Sequence, residues 1–408
     1  MTTTNTRDLL KEVKDIVTQC DRCGTCLTVC PLFGVKDVEA ASARGKNNIA
    51  RAVVEGGFKP DAGVLEAMNF CLLCRTCIDN CPSKVKTDEA MIALRQYISD
   101  RQGGPGVKYR ALGVMMKKRN LVKFSAGALK VVRKLGLGGL VPFGMAPAPF
   151  TREQYLSRFA GPAALAGEPP AARGAVVENA KVAYFQGCGM RMMFPEAVAD
   201  TLAVLGTVST PRQVDNVCCG LPHLAHGLGE DFLALAKENI SLFAADDIVV
   251  SDCASCAGTL KHFGAYLADD PEWQEAAKAF SAKVMSLSEY LVKAGYKPRQ
   301  RSSAKMTFHE PCHLGRGQGI KKEPRQLLGA AGDFVEMAGA DTCCGGAGSF
   351  HTDYPEIAAA ILDKKRANIE KSGADIVVSE CPVCLVQMNK AALKSGGRFK
   401  VMHISQVL

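Results

Sequence analysis

The 18 cysteines fall into four groups with none left over, and this partition constrains the chain more than any other feature. Two groups read C-x2-C-x2-C-x3-C-P: Cys20, Cys23, Cys26 and Cys30 before Pro31, then Cys71, Cys74, Cys77 and Cys81 before Pro82. The other two each hold a single cysteine, an adjacent pair and a C-x2-C: Cys188, Cys218, Cys219, Cys253 and Cys256, then Cys312, Cys343, Cys344, Cys381 and Cys384. Such short, regular spacings suit metal ligation better than long-loop disulfides. The N-terminus, Met-Thr-Thr-Thr-Asn-Thr-Arg-Asp, lacks an apolar signal core, so the expectation is a cytoplasmic chain with reduced thiols. No stretch approaches the ~20 apolar residues of a spanning helix. Any association with the inner face of the cytoplasmic membrane would therefore be peripheral or through a partner.

The net charge of +9 is concentrated in one place. Between Arg101 and Phe150 there is no Asp or Glu, while Arg101, Lys108, Arg110, Lys117, Lys118, Arg119, Lys123, Lys130, Arg133 and Lys134 are basic. The rest of the chain is close to neutral and no nucleic-acid-binding motif is present, so a nucleic-acid partner is not expected. Basic residues alternate with Leu112, Met115, Met116, Leu121, Phe124, Leu129, Val132 and Leu135. Three readings stay open: an interfacial helix on an anionic membrane, an arm on a partner subunit, or a solvated face over a small core.

From about residue 180 the sequence repeats itself. Val182-Ala-Tyr-Phe-Gln-Gly-Cys188 corresponds to Met306-Thr-Phe-His-Glu-Pro-Cys312, and Ile248-Val-Val-Ser-Asp-Cys253-Ala-Ser-Cys256 to Ile376-Val-Val-Ser-Glu-Cys381-Pro-Val-Cys384. Asn216-Val-Cys218-Cys219-Gly220 likewise matches Asp341-Thr-Cys343-Cys344-Gly345. The short β-branched runs are strand candidates that end at cysteines; Glu196 to Leu205, Asp231 to Phe243 and Ile357 to Ile369 read as helices. Alternation of this kind predicts parallel sheets, with ligands at the carboxyl ends of strands. The expected fold class is α+β and multidomain: a helical two-[4Fe-4S] ferredoxin domain over 1–100, a basic connector over 101–175, and tandem α/β modules over 176–300 and 301–408.

In C-x2-C-x2-C-x3-C-P the first three thiolates hold three corners of a cubane and the fourth reaches to the other cluster. One [4Fe-4S] cluster is thus expected on Cys20, Cys23, Cys26 and Cys81, and a second on Cys71, Cys74, Cys77 and Cys30. Four-thiolate zinc sites do not explain two such runs each closed by Cys-Pro. The first 100 residues resemble two-cluster bacterial ferredoxins, with a longer insert between the runs.

A recurrent fifth cysteine exceeds what a cubane needs. With both five-cysteine groups in place, the chain resembles the CCG-domain, or cysteine-rich domain, iron-sulfur proteins: glycolate and lactate oxidase iron-sulfur subunits, heterodisulfide reductase subunits and the small subunit of anaerobic glycerol-3-phosphate dehydrogenase. The resemblance covers almost the whole chain and permits a noncubane [4Fe-4S] cluster on Cys188, Cys218, Cys219, Cys253 and Cys256, and another on Cys312, Cys343, Cys344, Cys381 and Cys384. A structural, zinc-bound or smaller-cluster state of one module stays open. Retention of all ten cysteines pulls toward the heterodisulfide or lactate branches, and the sequences around them look most like lactate-type subunits. Gly220, Gly345 and Gly346 beside the pairs are expected to let backbone N–H groups approach sulfur. His223, His226, His309, His313 and His351 lie near the cysteines as donors, proton carriers or packing residues, and none is assigned as a ligand.

No dinucleotide or P-loop fingerprint occurs: Gly315-Arg-Gly-Gln-Gly and Gly345-Gly-Ala-Gly fail on spacing. A flavin is therefore expected on a partner and not on this chain. The resemblance implies an oxidoreductase subunit in a hetero-oligomer with an FAD-containing dehydrogenase. It would relay electrons from a 2-hydroxy acid such as lactate or glycolate to quinone, a membrane cytochrome or an electron-transfer flavoprotein. The alternative is a heterodisulfide-reductase-type subunit that cleaves a disulfide at its noncubane clusters. A redox sensor or scaffold is a third class, and four cluster sites exceed what sensing needs.

Overall fold

The computed structural model describes residues 8–134, 152–154, 180–298 and 301–408. The boundary expected near residue 175 lies outside the described residues.

The N-terminal part is helical. Asp8 caps helix Leu9–Val17 by accepting from the Lys11 amide at 3.1 Å, and Leu9, Val13, Ile16 and Val17 recur at the spacing that puts them on one face. That face packs on helices Ala43–Val54 and Thr87–Arg101, and helix Ala62–Asn69 joins the same core through those two, burying Ala50, Met68, Ala90, Leu94 and Ile98. Between these long helices, each cysteine run carries only a short one, Thr25–Val29 or Thr76–Asp79. The backbone around the thiols is thus loop, shaped by what the thiols hold.

Two four-stranded parallel sheets follow. The first contains β1 (Val182–Phe185), β2 (Arg212–Gln213), β3 (Ile248–Ser251) and β4 (Val284–Ser286) in the order β2-β1-β3-β4. The second repeats it with β5 (Lys305–Phe308), β6 (Asp333–Phe334), β7 (Ile376–Ser379) and β8 (Lys400–His403), ordered β6-β5-β7-β8. In each, the first strand connects to one side and the next crossover goes to the other, so a switch point opens at the carboxyl ends of the central pair. Pairing of Phe185 with Ser251, and of Phe308 with Val378, brings those ends level. Behind the first sheet Phe185, Phe243, Phe280, Phe263 and Phe232 run in successive ring contacts of 5.8, 6.3, 5.6 and 5.9 Å. Each such pair is worth about 0.5–1.5 kcal/mol beyond its burial.

The two modules do not have separate interiors. One continuous apolar core includes Val249, Val250 and Phe263 of the first and Phe308, Val377 and Val378 of the second. Segments that follow the strands meet across the junction: the Ala254 amide donates to Glu380 O at 2.8 Å, Ser286 Oγ to Gln318 at 2.8 Å, and His403 Nε2 lies 2.9 Å from Asp252 O. The carboxyl ends of the two sheets therefore face each other.

The basic segment turns out to lie on its own chain. Helices Val107–Lys117 and Arg119–Lys134 place Lys117 on Asp231 (2.5 Å), Arg119 on Glu238, Lys123 on Asp215 (2.8 Å) and Lys108 on Asp353. Such exposed pairs contribute little individually. Apolar anchoring comes from buried Val122 and Leu129, and Gly113 packs against Leu228 and His223. Leu121, Phe124 and Val131 remain exposed along the second helix.

Arg95 ties the helical part to the first module. Its guanidinium, 4% exposed, donates to Met68 O at 2.7 Å, Cys71 O at 3.2 Å and Ala225 O at 2.9 Å. Arg95→Met should destabilise the protein by about 3 kcal/mol, since three carbonyls lose a charged donor. Urea unfolding would show this, and a midpoint shift worth less than about 0.5 kcal/mol would mean the carbonyls find other partners.

Candidate metal centres

Cys30 lies with the second cysteine run. Together with Cys71, Cys74 and Cys77 it lines a small pocket, along with Lys46, Thr76 and Asp88. Cys20 and Cys81 pack on the same helical core, Cys26 senses the charges of Cys20 and Cys30, and Cys23 is exposed. The two runs share a local geometry. Thr25 Oγ1 is 3.4 Å from Cys23 Sγ, and Thr76 Oγ1 is 3.3 Å from Cys74 Sγ. Arg22, Gly24, Leu73 and Arg75, between successive cysteines, have φ of 57°, 87°, 50° and 61°. Left-handed conformations at three non-glycine residues cost roughly 1–2 kcal/mol each, and such outliers persist where the surroundings over-determine them. Wrapping a compact polynuclear group provides that reason, and the donor set fits one.

In each module the five cysteines converge on the switch point. Cys253 and Cys381 directly precede helices Ala254–Leu260 and Pro382–Lys394, while Cys188 and Cys312 begin helices after β1 and β5. The Cys188 and Cys218 sulfurs are 3.5 Å apart, and those of Cys344 and Cys384 are 3.4 Å apart. The glycines behave as expected: the Gly220 amide donates to Cys218 Sγ at 3.5 Å and the Gly345 amide to Cys343 Sγ at 3.4 Å. Their φ of 86° and 77° turns those N–H groups inward, a conformation that glycine adopts without strain. Gly346 has no room for a side chain, because a Cβ would lie 2.6 Å from Val383.

Crowded thiols divide into donors and acceptors. Hydrogen bonds from Cys218 and Cys256 hold the Cys219 thiol well below its ordinary range; Cys343 and Cys384 do the same for Cys344. Cys384 hydrogen-bonds Cys381 and brings it down to about 7. Cys218, Cys256 and Cys384 are held up as the donors, and burial raises Cys71 and Cys77. Full deprotonation of so many buried thiols requires added positive charge, which a bound metal supplies.

The sites are contiguous. The Cys74 thiol is hydrogen-bonded to Cys343, which is also bonded to Cys312. Leu32, Leu72, Phe350 and Ile361 seal this junction. On the other side, Ser255 Oγ is 3.3 Å from Cys253 Sγ and 3.9 Å from Cys381 Sγ, so one hydroxyl bridges the two modules.

Three buried cations beside the thiols escaped sequence reasoning. Lys46, 1% exposed, donates to Ala40 O and Ala41 O; burial depresses its ammonium while Cys71 and Cys30 favour it. Lys365, also 1% exposed, donates to Gly339 O and Ala340 O, and burial brings it down to about 8 against the pull of Cys344 and Cys343. Arg95 stands next to Cys71. A lysine among polar neighbours reads as solvated, so no local signal marks these three.

The histidines separate. His223 Nε2 meets Gly113 O at 3.0 Å, His226 stacks on Tyr109 with centroids 3.9 Å apart, His351 Nδ1 meets Gly346 O at 3.2 Å, and His313 bonds the Leu73 carbonyl. A ring nitrogen of His309 lies within 4.8 Å of the Cys344 and Cys384 sulfurs.

A helical unit with two four-cysteine runs, joined to two switch-point sites of five thiols each, defines an iron-sulfur protein of the cysteine-rich-domain class. The sequence matches the cysteine-rich domain family over residues 182–261 and 306–389 and the 4Fe-4S dicluster domain family over residues 16–85. The chain belongs to the cysteine-rich-domain iron-sulfur proteins and carries iron-sulfur clusters. It is 29% identical over 414 residues to the probable glycolate oxidase iron-sulfur subunit of Bacillus subtilis (strain 168), covering 95% of this chain and 92% of that one. Lactate utilization protein A of Halalkalibacterium halodurans is 32% identical over 56% of this chain and 96% of its own length. A fumarate reductase (CoM/CoB) subunit of Methanothermobacter marburgensis is 25% identical over 95% of this chain and 71% of its own. The chain is accordingly an iron-sulfur subunit of an oxidoreductase.

Proposed function

We propose that this chain is the electron-transfer subunit of a flavin-dependent 2-hydroxy acid dehydrogenase acting on lactate or glycolate, relaying electrons from an FAD-containing partner to quinone or another carrier. The observation that carries this reading is the succession of neighbouring thiols from Cys26 and Cys30, through Cys74 and Cys343, to Cys344, Cys384, Cys381 and the Ser255 bridge. Cys20, Cys23, Cys26 and Cys81 would hold one cubane, Cys71, Cys74, Cys77 and Cys30 the second, and the two five-cysteine sets one centre each. One-electron transfer is the chemistry these groups supply when bound. The relatives from Bacillus and Halalkalibacterium, named for glycolate oxidase and lactate utilization, support the substrate class.

No helix among the described residues is long and apolar enough to cross a membrane. Exposed Phe124 and Val131 on a basic helix support peripheral contact with an anionic membrane surface. Disulfide cleavage in the modules is the second reading, favoured by the likeness to a CoM/CoB-linked fumarate reductase over most of the chain.

Purification of the tagged full chain from its native host tests both. The expected result is a co-purifying FAD protein whose 2-hydroxy acid substrate reduces the iron of this chain. A flavin-free complex that turns over disulfides would overturn the relay reading.

A further inference from the structure

The two modules correspond in element order and sequence, yet one position breaks the repeat at the site itself. Where β1 ends in Phe185, fully buried and packed on Phe243, the matching residue after β5 is His309. Its backbone is fixed: the amide donates to Val378 O at 2.9 Å and the carbonyl accepts from Ser379 Oγ at 3.1 Å. Its ring is not. His309 is 1% exposed and neither Nδ1 nor Nε2 has a hydrogen-bond partner. A buried polar group left unmatched costs about 1–3 kcal/mol, so two unmatched nitrogens on one ring point to a missing partner.

The ring's surroundings identify that partner. One nitrogen lies with the Cys344 and Cys384 sulfurs in a group whose donor atoms are all within 4.8 Å of one another, the spread that one metal ion can span. Lys365, which aligns with Ala236 of the first module when Asn368-Ile369 is matched to Asn239-Ile240, donates to Gly339 O and Ala340 O and makes no hydrogen bond to the ring. A neutral imidazole carries one nitrogen with a free lone pair, and here no protein group donates to either nitrogen. Iron accepts imidazole nitrogen beside thiolate sulfur, and exchange of thiolate for imidazole raises the potential of a cluster.

We propose that His309 is a nitrogen ligand to the iron-sulfur centre of the second module, sharing that centre with Cys344 and Cys384, and that the first module's centre, with Phe185 at this position, lacks this ligand. This rests on the reading that the ten module cysteines hold iron-sulfur centres. The two centres then differ chemically although their cysteine patterns are identical.

The test uses the full chain purified anaerobically, once with ¹⁴N-histidine and once with ¹⁵N-histidine, and examined by electron-nuclear double resonance. The expected result is a strong nitrogen coupling that changes with the isotope, belongs to the signal lost in Cys344→Ser, and disappears in His309→Gln. The labelling comparison needs no variant, so a folding failure of His309→Gln leaves it intact. An iron signal assigned to the second module without strong nitrogen coupling would overturn the proposal and leave the five-cysteine reading standing. Absence of any iron-sulfur centre in the second module would overturn both.

Discussion

Cys30→Ser is expected to abolish the centre held by the second cysteine run and to spare the centre of its own run, with Cys81→Ser doing the converse. Cys30 lines one cavity with Cys71, Cys74 and Cys77, and the charges that act on it are those of Cys74 and Cys71. A serine there removes one of four corner ligands and leaves three thiols around a buried site with Lys46 in its wall. Iron and acid-labile sulfide should each fall by about four per chain. The paramagnetic signal lost in Cys30→Ser should be the one lost in Cys77→Ser and distinct from the one lost in Cys26→Ser. If Cys30→Ser instead matched Cys26→Ser, each run would be a self-contained site and the crossed arrangement would be wrong.

Removal of iron with a chelator under mildly oxidising conditions should unravel the two cysteine loops far more than the sheets. Residues 20–30 and 71–81 contain short helices and left-handed Arg22, Leu73 and Arg75, which relax once the thiols have nothing to wrap. β1, β3, β5 and β7 sit instead in the shared apolar core, where Val249, Val250, Val377 and Val378 are wholly buried. Hydrogen exchange followed by mass spectrometry should show at least a hundredfold loss of protection in the loops, about 3 kcal/mol, with the central strands changed much less. Equal loss of protection in loops and strands would show that the metal supports the whole fold as one cooperative unit.

Sequence reasoning reached the fold through its repeats. The runs at Val182, Ile248 and Ile376 became β1, β3 and β7 because β-branched segments bounded by cysteines have few other solutions, and the helix expected over Ile357 to Ile369 lies within Pro355–Ser372. The two-residue edge strands β2 and β6 are too short to leave a pattern. At the sites, the cysteines announced themselves, whereas Lys46, Lys365 and Arg95 did not, because their burial is a property of tertiary packing. The basic segment was legible in its charge but not in its partners, for a related reason. Its acidic complement, Asp215, Asp231, Glu238 and Asp353, lies far along the chain, so local charge counting saw only an unbalanced positive stretch. His309 looked no different from its four neighbours until the fold put one ring nitrogen within 4.8 Å of the Cys344 and Cys384 sulfurs and left both ring nitrogens unpartnered.

The common interior of the two modules has an evolutionary consequence. Two copies of one module placed face to face are what a symmetric homodimer would provide, and in a homodimer one gene dictates the same side chain at both sites. Joined in a single polypeptide, the halves cannot dissociate, yet each can mutate alone. Phe185 opposite His309 and Ala236 opposite Lys365 are differences that symmetry would forbid. A single chain of this kind permits the two sites to carry different side chains at matched positions.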